Sequence, residues 1–324
     1  MSRQTTLIIL SLDDYLWRTD SPSPFRSPFL FRLSRKSKVP RIFESGEFMT
    51  RDDMSLFKGN CFDVLPTLPY SSVQLFLCDL PYGILNRVNP HAAWDKPLDL
   101  NHLWYEIKRI GTPNCAYVFF ASGIFTHDLI ESNRKDFKYT LVWDKKATTG
   151  FLNAKKQPLR RHEDIVVFYS KQCKYNPQFT KGTPSHIRGA NATGKVNNNY
   201  GNYNPASTTK FTDDKYPTSI LCFEKNKHVL KHPTEKPVSI LEWLVKTYTD
   251  EDDTVCDPTM GSGSCGEACL NLNRKFIGIE MDEIWYDYAV KRLEYRNDIT
   301  ESIEYAGNSD SEKNESSGDM RDGN

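Results

Sequence analysis

No stretch of the 324-residue chain reaches about 18 consecutive apolar residues, so the sequence predicts no membrane-spanning helix and no membrane partner. The early run "LIILSL" is cut short by Asp13 and Asp14 and lacks the apolar core of a signal peptide. None of the eight cysteines forms a CxxC pair. Cys265 and Cys269 are four residues apart, but no matching His or Cys pair completes a zinc site. Scattered thiols inside apolar runs behave as small hydrophobes, which fits a reducing, cytoplasmic setting and no structural metal. There is no internal repeat. Net charge is also missing, since 42 Lys and Arg balance 42 Asp and Glu. That balance is only global. From Arg134 to Lys236 there are 20 Lys and Arg against 8 Asp and Glu, and a basic middle points to an anionic partner.

What is present is an alternation of apolar strands and amphipathic helices. "VQLFLCD" (73–79) and "CAYVFFA" (115–121) read as buried parallel strands. "LDLNHLWYEIKRIG" (98–111) has helical spacing and stops at Gly111. A helix near "FTHDLIESNR" precedes two more strands, "YTLVWDK" (139–145) and "DIVVFYS" (164–170). Order returns in a helix over 236–249 with Pro237 in its first turn, strands at 254–257 and 275–280, and a helix over 283–295. The prediction is an α/β fold with a doubly wound, mostly parallel sheet. Residues 1–53 are expected to be an extension outside the folded domain, preferably one upstream of a start at Met49 or Met54. Residues 54–170 and 231–298 form two halves of the domain. Residues 171–230, rich in Asn, Gly, Thr, Lys and aromatics, are an insertion too long for an ordinary loop. Residues 299–324 are a polar, disordered tail.

Two constellations carry chemistry. The first is "CDLPYG" (78–83), at the end of an apolar strand. An exocyclic amine must pyramidalise to attack an electrophilic methyl group, and two acceptors on its N–H bonds favour that geometry. Asp79 supplies one acceptor. The carbonyl of Leu80 or Pro81 supplies the other, and Tyr82 can stack on a base taken out of a duplex. The second is "CDPTMGSGSCGEAC" (256–269), a glycine-rich turn between a strand and a helix. Gly261 and Gly263 would let backbone approach a ligand. Glu280 follows 23 residues after Asp257, where an acid can hold ribose hydroxyls.

"DLPY" with "DPTMGSGS" resembles the motif pair of DNA N6-adenine and N4-cytosine amino-methyltransferases. The catalytic motif comes first and the cofactor motif late, as in the circularly permuted beta group of that family, and parts of the middle look like phage and prophage DNA methylases. The resemblance covers roughly residues 55–298. It implies the S-adenosylmethionine-dependent methyltransferase fold, with S-adenosylmethionine as cofactor, double-stranded DNA as partner and no metal. It implies cofactor contacts from Asp257, Pro258, Gly261, Gly263 and Glu280, from Asn60 in "GNCFDVL", and from Thr234 and Lys236 in "HPTEKP" at the cofactor's carboxylate. Asp79, Leu80, Pro81 and Tyr82 would hold the target base. Residues 171–230 would be the target-recognition region, with Lys174, Lys181, Arg188 and Lys195 on phosphates. The motif departs from the family pattern at Leu80, at Asn60 and at the "TM" before the glycines. Aspartate first in the catalytic motif leans toward adenine N6. Cytosine N4, an RNA adenine, or a non-catalytic nucleotide-binding relic stay open, as do a homodimer and a restriction endonuclease partner.

Overall fold

The computed structural model describes residues 48–83, 95–185, 212–225 and 235–294. Thr234, Arg188 and Lys195 lie outside them, as do residues 1–47 and the tail. Nine strands form one sheet, and their order along it is β1 (Phe48–Thr50), β2 (Met54–Lys58), β11 (Lys275–Glu280), β10 (Thr254–Asp257), β3 (Val73–Cys78), β4 (Gly111–Ala121), β6 (Arg160–Phe168), β5 (Phe137–Thr149) and β9 (Ile220–Cys222). β2, β11, β10, β3 and β4 run parallel. β3 is buried on both faces, as its unbroken apolar sequence requires.

The helices are α1 (Cys61–Val64), α2 (Leu100–Ile110), α3 (Ile124–Ser132), α4 (Val238–Tyr248), α5 (Ser264–Leu270) and α6, over 283–294. α2 starts where Asp99 Oδ1 accepts from the backbone N–H of Asn101 and His102, at 2.9 and 3.2 Å. Its basic last turn holds Arg109, which donates to the carbonyls of Leu65 and Leu68. The core gathers the apolar faces of the sheet with α4, α5 and α6. Trp143 at its centre is fully buried and donates to the Phe223 carbonyl at 2.8 Å. Among the described residues, no helix is long and apolar enough to cross a membrane, and no His, Cys, Asp or Glu cluster is arranged to hold a metal ion.

One expectation changes. Regular structure begins before Met54, because β1 pairs antiparallel with β2 and Met49 packs against the core. A three-residue strand followed by charged residues has too short a pattern to stand out from sequence. The two successive strands read at 139–145 and 164–170 are β5 and β6; they form an antiparallel hairpin, and β6 also pairs antiparallel with β4. That reversal brings the start of β6 to the edge where the parallel strands end.

Candidate active site

β10 and β3 are neighbours in the sheet, yet the chain runs from β10 to β11 on one side and from β3 to β4 on the other. A crevice opens at the carboxyl ends of strands at such a switch point. Here it is a cleft of about 980 Å³, lined by Asp79, Leu80, Pro81, Tyr82, Asn60, Lys236, Asp257, Pro258, Gly261 and Glu280. The two constellations, 178 residues apart in sequence from Asp79 to Asp257, therefore share one cavity.

Asp79 follows the last residue of β3, and both its carboxylate oxygens are engaged. Tyr82 Oη donates to Oδ1 at 2.9 Å, and Lys236 Nζ donates to Oδ2 at 2.5 Å. The Tyr82 ring is backed by Phe125, with centroids 5.0 Å apart. Burial and the neighbouring Asp79 charge push the Tyr82 hydroxyl well above its ordinary value, so it stays a donor. Thr259 Oγ1 donates to the Asp79 carbonyl at 3.3 Å, tying the two motifs together. The Leu80 side chain is buried, and Pro81 lines the cleft.

Lys236, expected at the cofactor's carboxylate, lines the cleft beside Asp79. Its side chain is only 7% exposed and lies between two carboxylates, Asp79 and Glu163, the second at 3.5 Å. Burial alone would lower its pKa, but the two carboxylates outweigh burial and raise it, so it is a fixed cation. The adjacent Glu235 is held by Arg292 of α6 at 2.9 Å, and the same guanidinium reaches the Ser262 carbonyl and Glu267. This clamp holds the segment before α4 that presents Lys236. Glu163 is a residue that the sequence reading missed. It stands near the start of the reversed strand β6, and Lys145, near the end of β5, donates to it at 3.0 Å. Burial would raise the Glu163 pKa, but Lys236 and Lys145 together hold it below the ordinary value. An acid opening the apolar run "IVVF" was the available signal.

On the other side of the cleft, Asp257 ends β10, almost fully buried. Its Oδ1 accepts from the Thr259 backbone at 3.1 Å. Burial, reinforced by the charges of Asp79 and Glu280, pushes its carboxyl up to about 8. Glu280 ends β11, and its two oxygens accept from the backbone N–H of Gly261 and Asp282, at 2.9 and 2.8 Å. It therefore builds the glycine turn as well as facing the cavity. Gly261 takes a positive φ of +53°, and a Cβ there would meet only open space within 4 Å. Gly263 differs. A Cβ there would sit 3.0 Å from Ala289 Cβ of α6, so this glycine is needed for helix packing, and it is not among the residues that line the cleft. Asn60 Oδ1 caps α1 by accepting from Phe62 N–H at 3.0 Å.

Of the predicted phosphate contacts, the two described ones are paired with acids. Lys181 contacts Asp213 and Asp214 at 2.9 and 2.7 Å. Lys174 pairs with Asp250, and the nearby Asn176 donates to the carbonyls of Lys246 and Thr249. Asp250 lies between α4 and β10, so Lys174 sits at the amino-terminal end of β10, the end away from the cleft, and pins its segment to the end of α4.

Comparison with known proteins agrees with this geometry. The family model N6_N4_Mtase, described as DNA methylase, matches residues 73–291. Type II methyltransferase M2.LlaDCHI of Lactococcus lactis subsp. cremoris is 37% identical over 282 residues, which is 79% of this chain and 95% of that protein. YubD of Escherichia coli (strain K12) is 41% identical over 244 residues, 74% of this chain and 90% of its own length. Type II methyltransferase M.HpaI of Haemophilus parainfluenzae is 26% identical over 259 residues, 78% of each. Among solved structures, the M1.HpyAVI–SAM complex matches with a TM-score of 0.50 at 21% identity, covering 74% of this chain and 100% of that one. PvuII DNA methyltransferase (cytosine-N4-specific) matches at 0.52 and 15%, covering 75% and 87%. These two likenesses speak for the fold. S-adenosylmethionine is the methyl donor of the matched family.

Proposed function

Because the chain belongs to the DNA methylase family, we propose that it methylates the exocyclic N6 amine of adenine in double-stranded DNA, on a base turned out of the duplex. The observation that carries this reading is a carboxylate, Asp79, held by a tyrosine and a lysine at the wall that faces the Asp257–Gly261 turn.

The cleft fits S-adenosylmethionine. It has the size of a cofactor pocket. Gly261 leaves room at the turn, and Asp257 is a buried acid that a bound cation would ionise. Asp257, Gly261, Glu280 and Asn60 would hold the cofactor, with Pro258 in the wall between the two halves. When bound, the cofactor supplies an electrophilic methyl group on a sulfonium. Asp79 accepts one N–H of the target amine and the carbonyl of Leu80 or Pro81 accepts the other, which turns the lone pair out of the ring plane. The amine gains positive charge as it reacts, and a carboxylate already oriented by Lys236 meets that charge without reorganisation. Tyr82, backed by Phe125, offers its ring to the base. Lys181 and the basic stretch around the cleft would meet phosphates.

The test is to incubate the protein with S-adenosylmethionine and unmethylated duplex DNA, digest the DNA to nucleosides and identify the methylated one by mass spectrometry. N6-methyldeoxyadenosine is expected. N4-methyldeoxycytidine would move the target to cytosine, and label appearing only in RNA would move the substrate.

A further inference from the structure

Phe151 and Leu152 are the two most exposed large apolar side chains among the described residues, at 76% and 84%. They are adjacent, at the tip of the β5–β6 hairpin. That tip is a built turn. Gly150 takes a φ of +86° and opens a short 3-10 turn over Phe151–Asn153. The backbone N–H of Asn153, Ala154 and Lys156 donate to the carbonyls of Gly150, Phe151 and Asn153 at 2.9, 3.1 and 2.8 Å. The two side chains are thus presented on a locally hydrogen-bonded support. Holding a Phe and a Leu in water forgoes burial, and an adjacent exposed pair of this kind marks a surface that meets a partner.

The surroundings say which partner. The base of the hairpin is a wall of the catalytic cleft: Thr149 and Arg160 face each other in register, and both line the cavity together with Lys145. From Lys145 to Arg161 there are six Lys and Arg and no Asp or Glu. Lys155 and Lys156 are exposed beside the apolar pair. An apolar tip set among cations, on a hairpin whose base lines the cleft, is complementary to duplex DNA. The cations meet phosphates, and the apolar groups meet a base step.

We propose that this hairpin tip is a wedge that inserts Phe151 and Leu152 into the duplex beside the target pair and occupies the space left by the extruded base. The inference rests on the reading of the chain as a duplex-DNA methyltransferase. Inserted apolar side chains offset part of the cost of unstacking, which is smallest when the target base is already unpaired.

The experiment compares wild type with Phe151→Ala/Leu152→Ala. The target site is first read by sequencing modified bases in DNA from cells that express the wild-type protein. Two synthetic duplexes carry that site, one fully paired and one with an abasic position opposite the target base. Methyl transfer is followed in single turnover. On the paired duplex the variant should be slower by about tenfold or more, and on the abasic duplex it should come within about threefold of wild type. Equal losses on both duplexes, or no loss on the paired one, would overturn the wedge. A wild-type protein inactive on both duplexes would instead remove the reading beneath it. Thermal melting controls for folding, which two exposed side chains should not disturb.

Discussion

Replacing Lys236 by methionine keeps the buried stem and deletes its charge. In the native chain the ammonium stands 2.5 Å from Asp79 and 3.5 Å from Glu163. Glu163 keeps Lys145 at 3.0 Å, so the carboxylate that loses its hydrogen-bonded cation is Asp79. Removing one partner of a buried pair costs about 3–5 kcal/mol. Asp79 keeps 26% exposure, and water screens part of the penalty. A loss of about 3 kcal/mol at pH 7 is therefore expected. The Lys236 pKa is raised in the fold, so its contribution is complete below the ordinary lysine value and fades only as pH rises through the raised one. Adding Asp79→Asn to the variant removes the stranded charge and should restore most of the stability without restoring activity. Urea unfolding of the four members of this cycle at pH 7 measures it. A loss below about 1 kcal/mol, or no rescue by Asp79→Asn, would refute the reasoning.

The raised Asp257 carboxyl, near 8 in the fold against an ordinary value near 4, should make the chain lose stability as pH rises from about 4 to 8, because the folded state binds the extra proton. Asp257→Asn should flatten that dependence and weaken cofactor binding, as melting curves and calorimetry with S-adenosylmethionine would record. A chain beginning at Met54 lacks β1 and the partly buried Met49 and should be destabilised by about 1–2 kcal/mol, readable by urea unfolding against a chain beginning at Ser45. Gly263→Ala strains a positive φ and crowds Ala289, so it should lower stability by about 1–2 kcal/mol with cofactor affinity kept. Gly261→Ala should instead reduce cofactor affinity, because open space at that turn is where a ligand would lie. Titration of both variants with S-adenosylmethionine separates the two roles.

Where chemistry sits on consecutive residues, the sequence was readable. The apolar run of β3 ending in Asp79, and the glycine turn between β10 and α5, announce a strand end and a ligand turn by local pattern alone. The limits of β10 and β11 agree with the expected 254–257 and 275–280. What stayed hidden depends on pairing across long separations. Lys236 meets Asp79 across a sequence separation of 157, and no local pattern says that a lysine before a helix is buried. Glu163 reaches the cleft only because β6 runs against its neighbours, and a strand's direction leaves no trace in its composition. Gly263 and Gly261 look alike in a glycine-rich turn, and only the α6 residue packed on one of them separates their roles. Lys174 read as one of many basic residues because its acid, Asp250, lies far along the chain.

The central claim is that Asp79 accepts from the target amine during methyl transfer. Its most direct test is single-turnover methylation of duplex DNA by Asp79→Asn, with thermal melting and cofactor binding measured on the same preparation. The substitution keeps shape and removes an acceptor whose effect is concentrated in the transition state. A protein that melts within a few degrees of wild type and methylates about 10²–10³ times more slowly is the predicted result. A well-folded variant that methylates within about threefold of wild type, far inside that expected loss, would contradict the assignment of Asp79 and the site built around it.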